Sequence, residues 1–550
     1  MKSVCAVALS IVLFALAGCG DDSTHRAAPT ATATSAPPTA TASPRPTASA
    51  TATSVATATV PPTSTATRAS SATATPTASA TPTASATSTL SETPTATASS
   101  TPTDTATLAS IAHVGRWLTD PDGRVLLLHG VNLVAKQLDT PAQRGFGDDD
   151  AAWLEDNGFD AVRLGFSPDA LLPAPGTVNQ DYVDSFVNTV AILRAHNLLV
   201  LVDQHQDGWG PATAGNGFPA WMTITHGAEN TMTGFPLYYV TNPAIQAAFE
   251  SFWANENGPD DLPLQSAVAA MFRAFADQLA AAPNVLGYDL LNEPWPGTDW
   301  MPCLNDPVGC PQQDAASLDA YHARMATAIR AVDPSHLLFG EPFVLFNFGM
   351  AGTSVSLPGG DPQGGLSFHM YTVDVAAEPQ VVENAVSWST STGGALLCSE
   401  FGASTDTAAI DRQVGLLDRS LIPWLFWSYD ENVATHLDQT MSDANVVASS
   451  ADALVRPHPL AVAGTPLSHD YDLSSRTLTF SYSTTGPDGS HFAAETPSLF
   501  KVAPRTYPNG YSVQVTGGTV TSAANAPQLT IVADAASESV SVVVAPADAE

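Results

Sequence analysis

The stretch Gly287-Tyr288-Asp289-Leu290-Leu291-Asn292-Glu293-Pro294-Trp295 decides how the chain is read. Its first half is apolar and follows Pro283-Asn284-Val285-Leu286, so it reads as a buried strand entered from a helix. Its second half stops at Pro294, which lacks the N–H for a sheet ladder and has no place in a helix interior. A carboxylate left where a buried strand ends is partly desolvated, and desolvation raises a carboxyl pKa. A general acid near neutral pH needs that property. Glu293 in such a role calls for a second carboxylate from elsewhere in the chain.

Outward from this strand, short apolar runs alternate with amphipathic helices. The runs are Val125-His129, Ala161-Gly165, Leu198-Asp203, Val285-Leu291, Leu337-Gly340, Gly365-His369, Ala395-Glu400 and Pro423-Trp427. Helical spacing joins Val183, Phe186, Val187, Val190 and Leu193, then Val268, Met271, Phe272, Phe275 and Leu279, then Leu318, Tyr321, Met325 and Ile329. This alternation predicts an α/β fold, a (β/α)8 TIM barrel. An open doubly wound sheet fits less well, because no Gly-rich phosphate loop follows the first strand. Asp120-Pro121-Asp122-Gly123 predicts a hairpin leading in, between Val114-Leu118 and Val125-Leu128. Past Arg456 the period changes to two, in Thr477-Tyr482, Tyr511-Val515, Leu529-Val532 and Val540-Val544. These runs predict a small C-terminal all-β sandwich. The barrel is assigned to 111–455 and the sandwich to 456–550.

The chain has 550 residues with 19 basic and 53 acidic side chains, a formal net charge of -34. That balance argues against a nucleic-acid partner and against a polybasic membrane anchor. Lys2 and the apolar run Val4 to Leu16, too short to span a bilayer, form a signal peptide assigned to 1–18. Leu16-Ala17-Gly18-Cys19 resembles a bacterial lipobox, which makes Cys19 the lipidated mature N-terminus. Residues 19–110 are almost entirely Thr, Ala, Ser and Pro and predict a disordered, Pro-stiffened stalk. The expected location is therefore secreted and extracytoplasmic, lipid-anchored to the bacterial cell envelope through Cys19, with no other membrane contact. Cys303 and Cys310 flank a loop in an exported chain and are expected to form a disulfide; Cys398 is expected to be a buried thiol. No spacing predicts a zinc site or any other metal, no cofactor is expected, and a monomer is.

In barrel enzymes the chemistry sits where strands end. The run ends supply Arg163, Asp203 to Asp207, Asn292-Glu293, Glu341, His369-Met370-Tyr371, Ser399-Glu400-Phe401-Gly402 and Trp427. Singly, a His or Trp at such a place is more often a core residue; together they converge on one rim, which packing does not require. Glu400 is the answering carboxylate. Two carboxylates on strands four and seven, about 5 Å apart, allow one to attack an anomeric carbon while the other protonates the leaving oxygen, with retention. Glu293 is expected to be the acid/base and Glu400 the nucleophile, kept ionised by Arg163 and Tyr371. Glu341 is a rival acid, better cast as a supporting residue.

Asn292-Glu293-Pro294 after strand four with Ser399-Glu400-Phe401-Gly402 after strand seven resembles glycoside hydrolase family five, of the 4/7 superfamily. Gly130 to Lys136, Asp203-Gln204-His205-Gln206-Asp207, Phe252-Trp253-Ala254-Asn255 and Arg456-Pro457-His458-Pro459 are similar, more narrowly, to the endoglycoceramidases. That resemblance implies hydrolysis of the bond between a sugar chain and ceramide. It also implies sugar-binding roles for Lys136, Arg163, His205, Asp207, Trp253, Asn292, His369, Tyr371 and Trp427. The expected partner is a glycolipid or oligosaccharide. Endo-β-glucanase or β-glucosidase activity on other glucosides, such as steryl glucosides, is the alternative within enzymes; a non-catalytic carbohydrate-binding lipoprotein is the alternative outside them. The segment from Trp209 to Leu264 is longer than a usual βα loop and carries Phe218, Trp221, Met222, Met232, Phe235, Tyr238, Tyr239, Phe249, Phe252 and Trp253. It is expected to fold over a small core of its own, to wall the barrel mouth for a lipid tail, or both.

Overall fold

The computed structural model describes residues 111–547, except Gln137, Phe235, Asn305, Asp306 and Val373. The signal peptide, Cys19 and the Thr/Ala/Ser/Pro stretch lie outside the described residues. Eight parallel strands close a barrel: β1 (His129–Ala135), β2 (Ala161–Phe166), β3 (Leu199–Gln204), β4 (Val285–Asp289), β5 (Leu337–Gly340), β6 (Gly364–Met370), β7 (Ala395–Phe401) and β8 (Trp424–Phe426). Each strand pairs with its sequence neighbour and β8 pairs with β1, Trp424 against His129. Helices form where the spacing predicts them. Gln180–Ala195 buries Val183, Phe186, Val190 and Leu193, and Leu264–Leu279 buries Val268, Met271, Phe272, Phe275 and Leu279. Between β5 and β6 only short 3-10 turns stand in for a helix, Val344–Phe348 and Pro358–Gly360.

The lead-in segment differs from its sequence reading. Val125 opens no barrel strand; Val125–Leu126 pairs antiparallel with His458–Val462. The first barrel strand starts at His129 and runs through Gly130 and Asn132, which break the apolar run that would have marked it. The hairpin over Asp120-Gly123 is present, and a tighter one pairs Ala112–Val114 with Trp117–Thr119. These strands extend a seven-stranded sheet of the C-terminal sandwich. The other sheet has four strands, Thr465–Asp472, Thr477–Ser483, Ser539–Pro546 and Tyr511–Thr516 in chain order of pairing. Leu478, Phe480, Tyr482, Val540, Val542 and Val544 meet Phe500, Leu529, Ile531 and Val462 between the sheets. Inside the barrel, Ala161, Leu201, Leu337, Phe339, Ala395, Leu397 and Leu425 form an apolar layer that runs on into Ile111, Leu118, Leu126 and Ala461. The hairpin and the first sandwich strand thus plug the bottom of the barrel.

A buried polar network joins the two domains at that end. His129 of β1 stacks between Trp424 of β8 (4.1 Å) and His458 (3.8 Å). Its Nε2 lies 3.1 Å from Asp418 Oδ1, which also accepts the Trp424 indole N–H at 2.9 Å. His458 Nε2 meets Asp160 at 2.7 Å, Arg456 Nη1 approaches Asp418 at 3.7 Å, and His469 lies 3.9 Å from Asp418 on the sandwich side. Burial, followed by the neighbouring His458, lowers the His129 pKa to about 3, against the pull of Asp418. Burial lowers that of His469 as well. A histidine held neutral by the fold stabilises it above the unfolded pKa of about 6.5, and the contribution is lost as pH falls from there toward the folded value. Thermal unfolding between pH 7.5 and pH 5 should therefore show a falling Tm, and His129→Asn should flatten that dependence. A Tm of His129→Asn that falls as steeply as wild type would assign the acid sensitivity elsewhere.

Candidate active site

Along each barrel strand, every second side chain points inward. Above the apolar layer, the same alternation brings Asn132, Arg163, Asp203, Asp289, Ser367 and Ser399 into a buried polar layer. Arg163 stands at its centre, fully buried, and sits within β2 rather than at its end. Its Nε donates to Asp289 (3.0 Å), Nη1 to Glu400 (2.5 Å) and Asn132 (3.2 Å), and Nη2 to Asp203 (2.9 Å), Asn292 (3.0 Å) and Glu341 (3.0 Å). Burial disfavours the guanidinium, but Asp203, Asp289, Glu400 and Glu341 outweigh it and hold its pKa well above the ordinary value. Arg163, expected among the sugar ligands, is therefore one layer below them. Its donors are spent on protein acceptors.

The two expected acids meet above this layer. Glu400 does so by a register shift. Leu397 and Ser399 face inward, so strict alternation would send Glu400 toward the helices. The β6–β7 pairing slips between Cys398 and Glu400, and this bulge turns Glu400 in. One Glu400 oxygen then takes Arg163, and the other accepts from the Tyr371 hydroxyl at 3.1 Å. Glu293 follows β4 with a left-handed backbone, φ 44°. Its Oε1 accepts from Asn347 Nδ2 at 3.2 Å and lies 2.9 Å from His369 Nδ1, which is 3.5 Å from Glu400. A carboxylate oxygen of Glu293 and one of Glu400 lie within 4.8 Å of each other. Glu293, at 8% exposure, and Glu400, at 4%, are nearly sealed, and Arg163 compensates Glu400 alone of the two.

Around the acids lies a rim of further groups. Lys136 Nζ pairs with Asp207 at 3.0 Å and sits 4.5 Å above the Trp427 ring, which stacks on His205 at 5.4 Å. His205 Nδ1 meets Asp203 at 2.8 Å. Burial opposes the His205 cation, but Asp203 and Asp207 together lift its pKa to about 9. Burial likewise opposes the charged form of Asp207, yet Lys136 and His205 hold its pKa well below the carboxylate range. Asn292 Oδ1 accepts from Arg163 while Nδ2 donates to the Gln206 carbonyl (3.0 Å), so one amide hydrogen remains for a ligand. Trp253, also expected at the sugar, is held by its indole N–H on the Trp295 carbonyl (2.9 Å) and packs on Phe343 and Tyr321. It supports the loop after β4. The sequence places Gln206 on the rim without a role. Asn347 was not expected at the site, and it lies on a 3-10 turn whose position no sequence period marks.

The long insertion after β3 packs its aromatics into the main barrel core and forms no separate core of its own. Trp209, Phe218, Met222, Tyr238, Tyr239, Phe249 and Phe252 are buried, Trp209 stacking on Phe218 at 4.2 Å. Met232 is exposed. The Cys303 and Cys310 sulfurs of the next loop lie at bonding distance, with Cα atoms 4.8 Å apart. Glu293, His369 and Glu400 each offer a ligand atom within 4.8 Å of the others, while Arg163 and Tyr371 already donate to the two Glu400 oxygens.

The family described as cellulase (glycosyl hydrolase family 5) matches residues 147–433, and its C-terminal domain family matches 456–544. The chain belongs to glycoside hydrolase family 5. It is an endoglycoceramidase-like member and a glycoside hydrolase. Endoglycoceramidase I of Rhodococcus hoagii is 32% identical over 450 residues, covering 76% of this chain and 85% of that protein. Two structures of endo-glycoceramidase II from Rhodococcus sp. superpose over 78% of this chain and 99% of theirs at 26% identity. One is a lactosyl-enzyme intermediate (TM-score 0.64), and the other a complex with ganglioside GM3 (TM-score 0.65).

Proposed function

We propose that this enzyme hydrolyses the β-glycosidic bond between a sugar chain and a lipid aglycone, ceramide foremost, and releases the intact oligosaccharide. The observation that carries the chemistry is the pair of carboxylates from β4 and β7 within 4.8 Å, the spacing of a retaining mechanism. Glu400, ionised against Arg163 and Tyr371, attacks the anomeric carbon. Glu293 gives its proton to the departing ceramide oxygen as the glycosyl–Glu400 ester forms. Glu293 then takes a proton from water, which attacks the same carbon and frees Glu400. The relative captured as a lactosyl-enzyme intermediate supports the covalent step. Lys136, His205 and Asp207 offer polar contacts to the reacting sugar beside Trp427, over whose ring Lys136 sits at 4.5 Å, and the remaining Asn292 amide hydrogen is the donor for the sugar 2-hydroxyl.

Two further features support a lipid-bearing substrate. Among the described residues, seven large apolar side chains are exposed, and five of them, Leu138, Met232, Met301, Val308 and Val375, lie on loops that follow barrel strands. A lipid at Cys19 would keep the enzyme tethered near a membrane. No helix among the described residues is long and apolar enough to cross one. Oxidation of Cys303 with Cys310 accords with an extracytoplasmic location.

Three measurements test this reading. Offered GM3 ganglioside, glucosylceramide, a steryl glucoside and a soluble β-glucan, the enzyme should release intact oligosaccharide from the ganglioside; turnover of the glucan alone would sink the substrate assignment. Glu400→Gly should lose roughly 10³-fold or more of kcat. Azide should restore turnover there with the inverted glycosyl azide as product, and absence of that product would remove Glu400 as nucleophile. In a bacterial host, Cys19→Ala should move the protein from the membrane to the soluble extracytoplasmic fraction; retention at the membrane would exclude the anchor.

A further inference from the structure

Glu341 follows β5 and is fully buried. Neither the hydrolysis nor the sugar contacts described above use it. Each of its oxygens has a separate task. Oε2 accepts the backbone N–H of Glu293 at 2.8 Å, and Oε1 accepts Arg163 Nη2 at 3.0 Å. Arg163 in turn holds Glu400 through Nη1. A single carboxylate thus ties the peptide that carries one acid to the guanidinium that carries the other.

The Glu293 peptide needs such a tie. A left-handed φ of 44° is unfavourable for a residue with a β-carbon, and it persists only where the surroundings hold it. Three bonds do so here. Glu341 takes the Glu293 N–H, and Gln206 Nε2 donates to the Glu293 carbonyl (3.0 Å) and to the Asn292 carbonyl (2.9 Å). Of these only the bond to Glu341 links the peptide to the Arg163 cluster. An acid displaced by about 1 Å from its leaving oxygen loses much of its effect.

We propose that Glu341 is the positioning residue that sets the orientation of Glu293 for protonating the leaving group. The inference rests on Glu293 being the acid, as proposed above. The role requires each Glu341 oxygen to accept one hydrogen bond, Oε2 from the Glu293 N–H and Oε1 from Arg163. The groups that face it decide whether it ionises. These are Arg163 from β2, Asp203 from β3, Asp289 and Glu293 from β4, His369 from β6 and Glu400 from β7. His369 Nε2 stands 3.1 Å from Glu341 Oε1, close but without hydrogen-bond alignment. Burial pushes the Glu341 carboxyl up, and His369 and Arg163 offset this only in part against the neighbouring Asp289, so its pKa stands raised to about 8.

Glu341→Gln tests the assignment. A glutamine has one acceptor oxygen, so it must release either the Glu293 N–H or Arg163. The readout is leaving-group dependence. A dinitrophenyl lactoside departs without a proton, whereas the glycolipid needs one. Glu341→Gln should lose roughly 10²-fold in kcat/KM on the ganglioside, within the range that general acid catalysis supplies, and less than about tenfold on the dinitrophenyl lactoside. Equal losses on the two substrates would overturn the proposal and leave Glu341 a structural partner of Arg163. Glu341→Asp, which keeps the charge but shortens the reach to the Glu293 N–H, carries the same comparison if the glutamine variant does not fold. The two readings separate in wild type: an enzyme inactive on both substrates refutes the glycosidase reading, whereas parallel losses in the variants refute only the role of Glu341.

Discussion

The Arg163 guanidinium is the constraint on which the rest of the site depends. Taking charges out of water costs several kcal/mol per ion, and only good geometry with further hydrogen bonds offsets it. Arg163 meets that condition by facing Asp203, Asp289, Glu341 and Glu400 at 3.0 Å or less, with Asn132 and Asn292 completing the set. The planar fork of an arginine matches such an arrangement, and the point charge of a lysine would not. One cation among four carboxylates leaves an excess of negative charge, which His205 and His369 sit beside. The cluster joins β2, β3, β4 and β7 and the segment after β5, so the floor of the site cannot shift one strand at a time.

That floor is reached by strand periodicity, but the acids above it are not. Inward alternation places Arg163, Asp203 and Ser367 in one layer, and Asp289 joins it after a register shift between β3 and β4 just past Val285. Glu400 needs the slip after Cys398, and Glu293 needs a left-handed backbone beyond the end of β4. Glu293 lies beyond the last pair of β4, whereas the slip in β7 lies near its end and the ladder resumes at Glu400 and Phe401. The cost of each is met by neighbours: Arg163 and Tyr371 for Glu400, Glu341 and Gln206 for Glu293.

The lower end of the barrel has a different logic. Its open end is filled by the lead-in hairpin and the first strand of the sandwich, which share one sheet. The buried His129, Asp418 and Arg456 set fixes how the sandwich meets the strands. Residues at this end read as stability rather than chemistry, in keeping with a catalytic face at the carboxyl ends of the strands. Catalytic rim and domain junction are therefore separated by the apolar layer of Leu201, Leu337, Phe339 and Leu397.

By itself the sequence determined the barrel, the sandwich and the two acids. Hydrophobic period is a local property, and Pro294 and Gly402 mark the strand ends that carry Glu293 and Glu400. The rim of His205, Asp207, Tyr371 and Trp427 was legible for the same reason, since strand ends converge in any closed barrel, whereas Lys136 was named only by the resemblance. Only the tertiary structure decided what depends on register and long-range pairing. It moved Val125–Leu126 into the sandwich sheet, because a short strand takes whichever edge is open to it. It sank Arg163 below the rim residues and joined the aromatics of the insertion to the barrel core. It also brought Asn347 to the acid, 54 residues along the chain from Glu293, and gave Glu341, already read onto the rim, its bond to the Glu293 N–H.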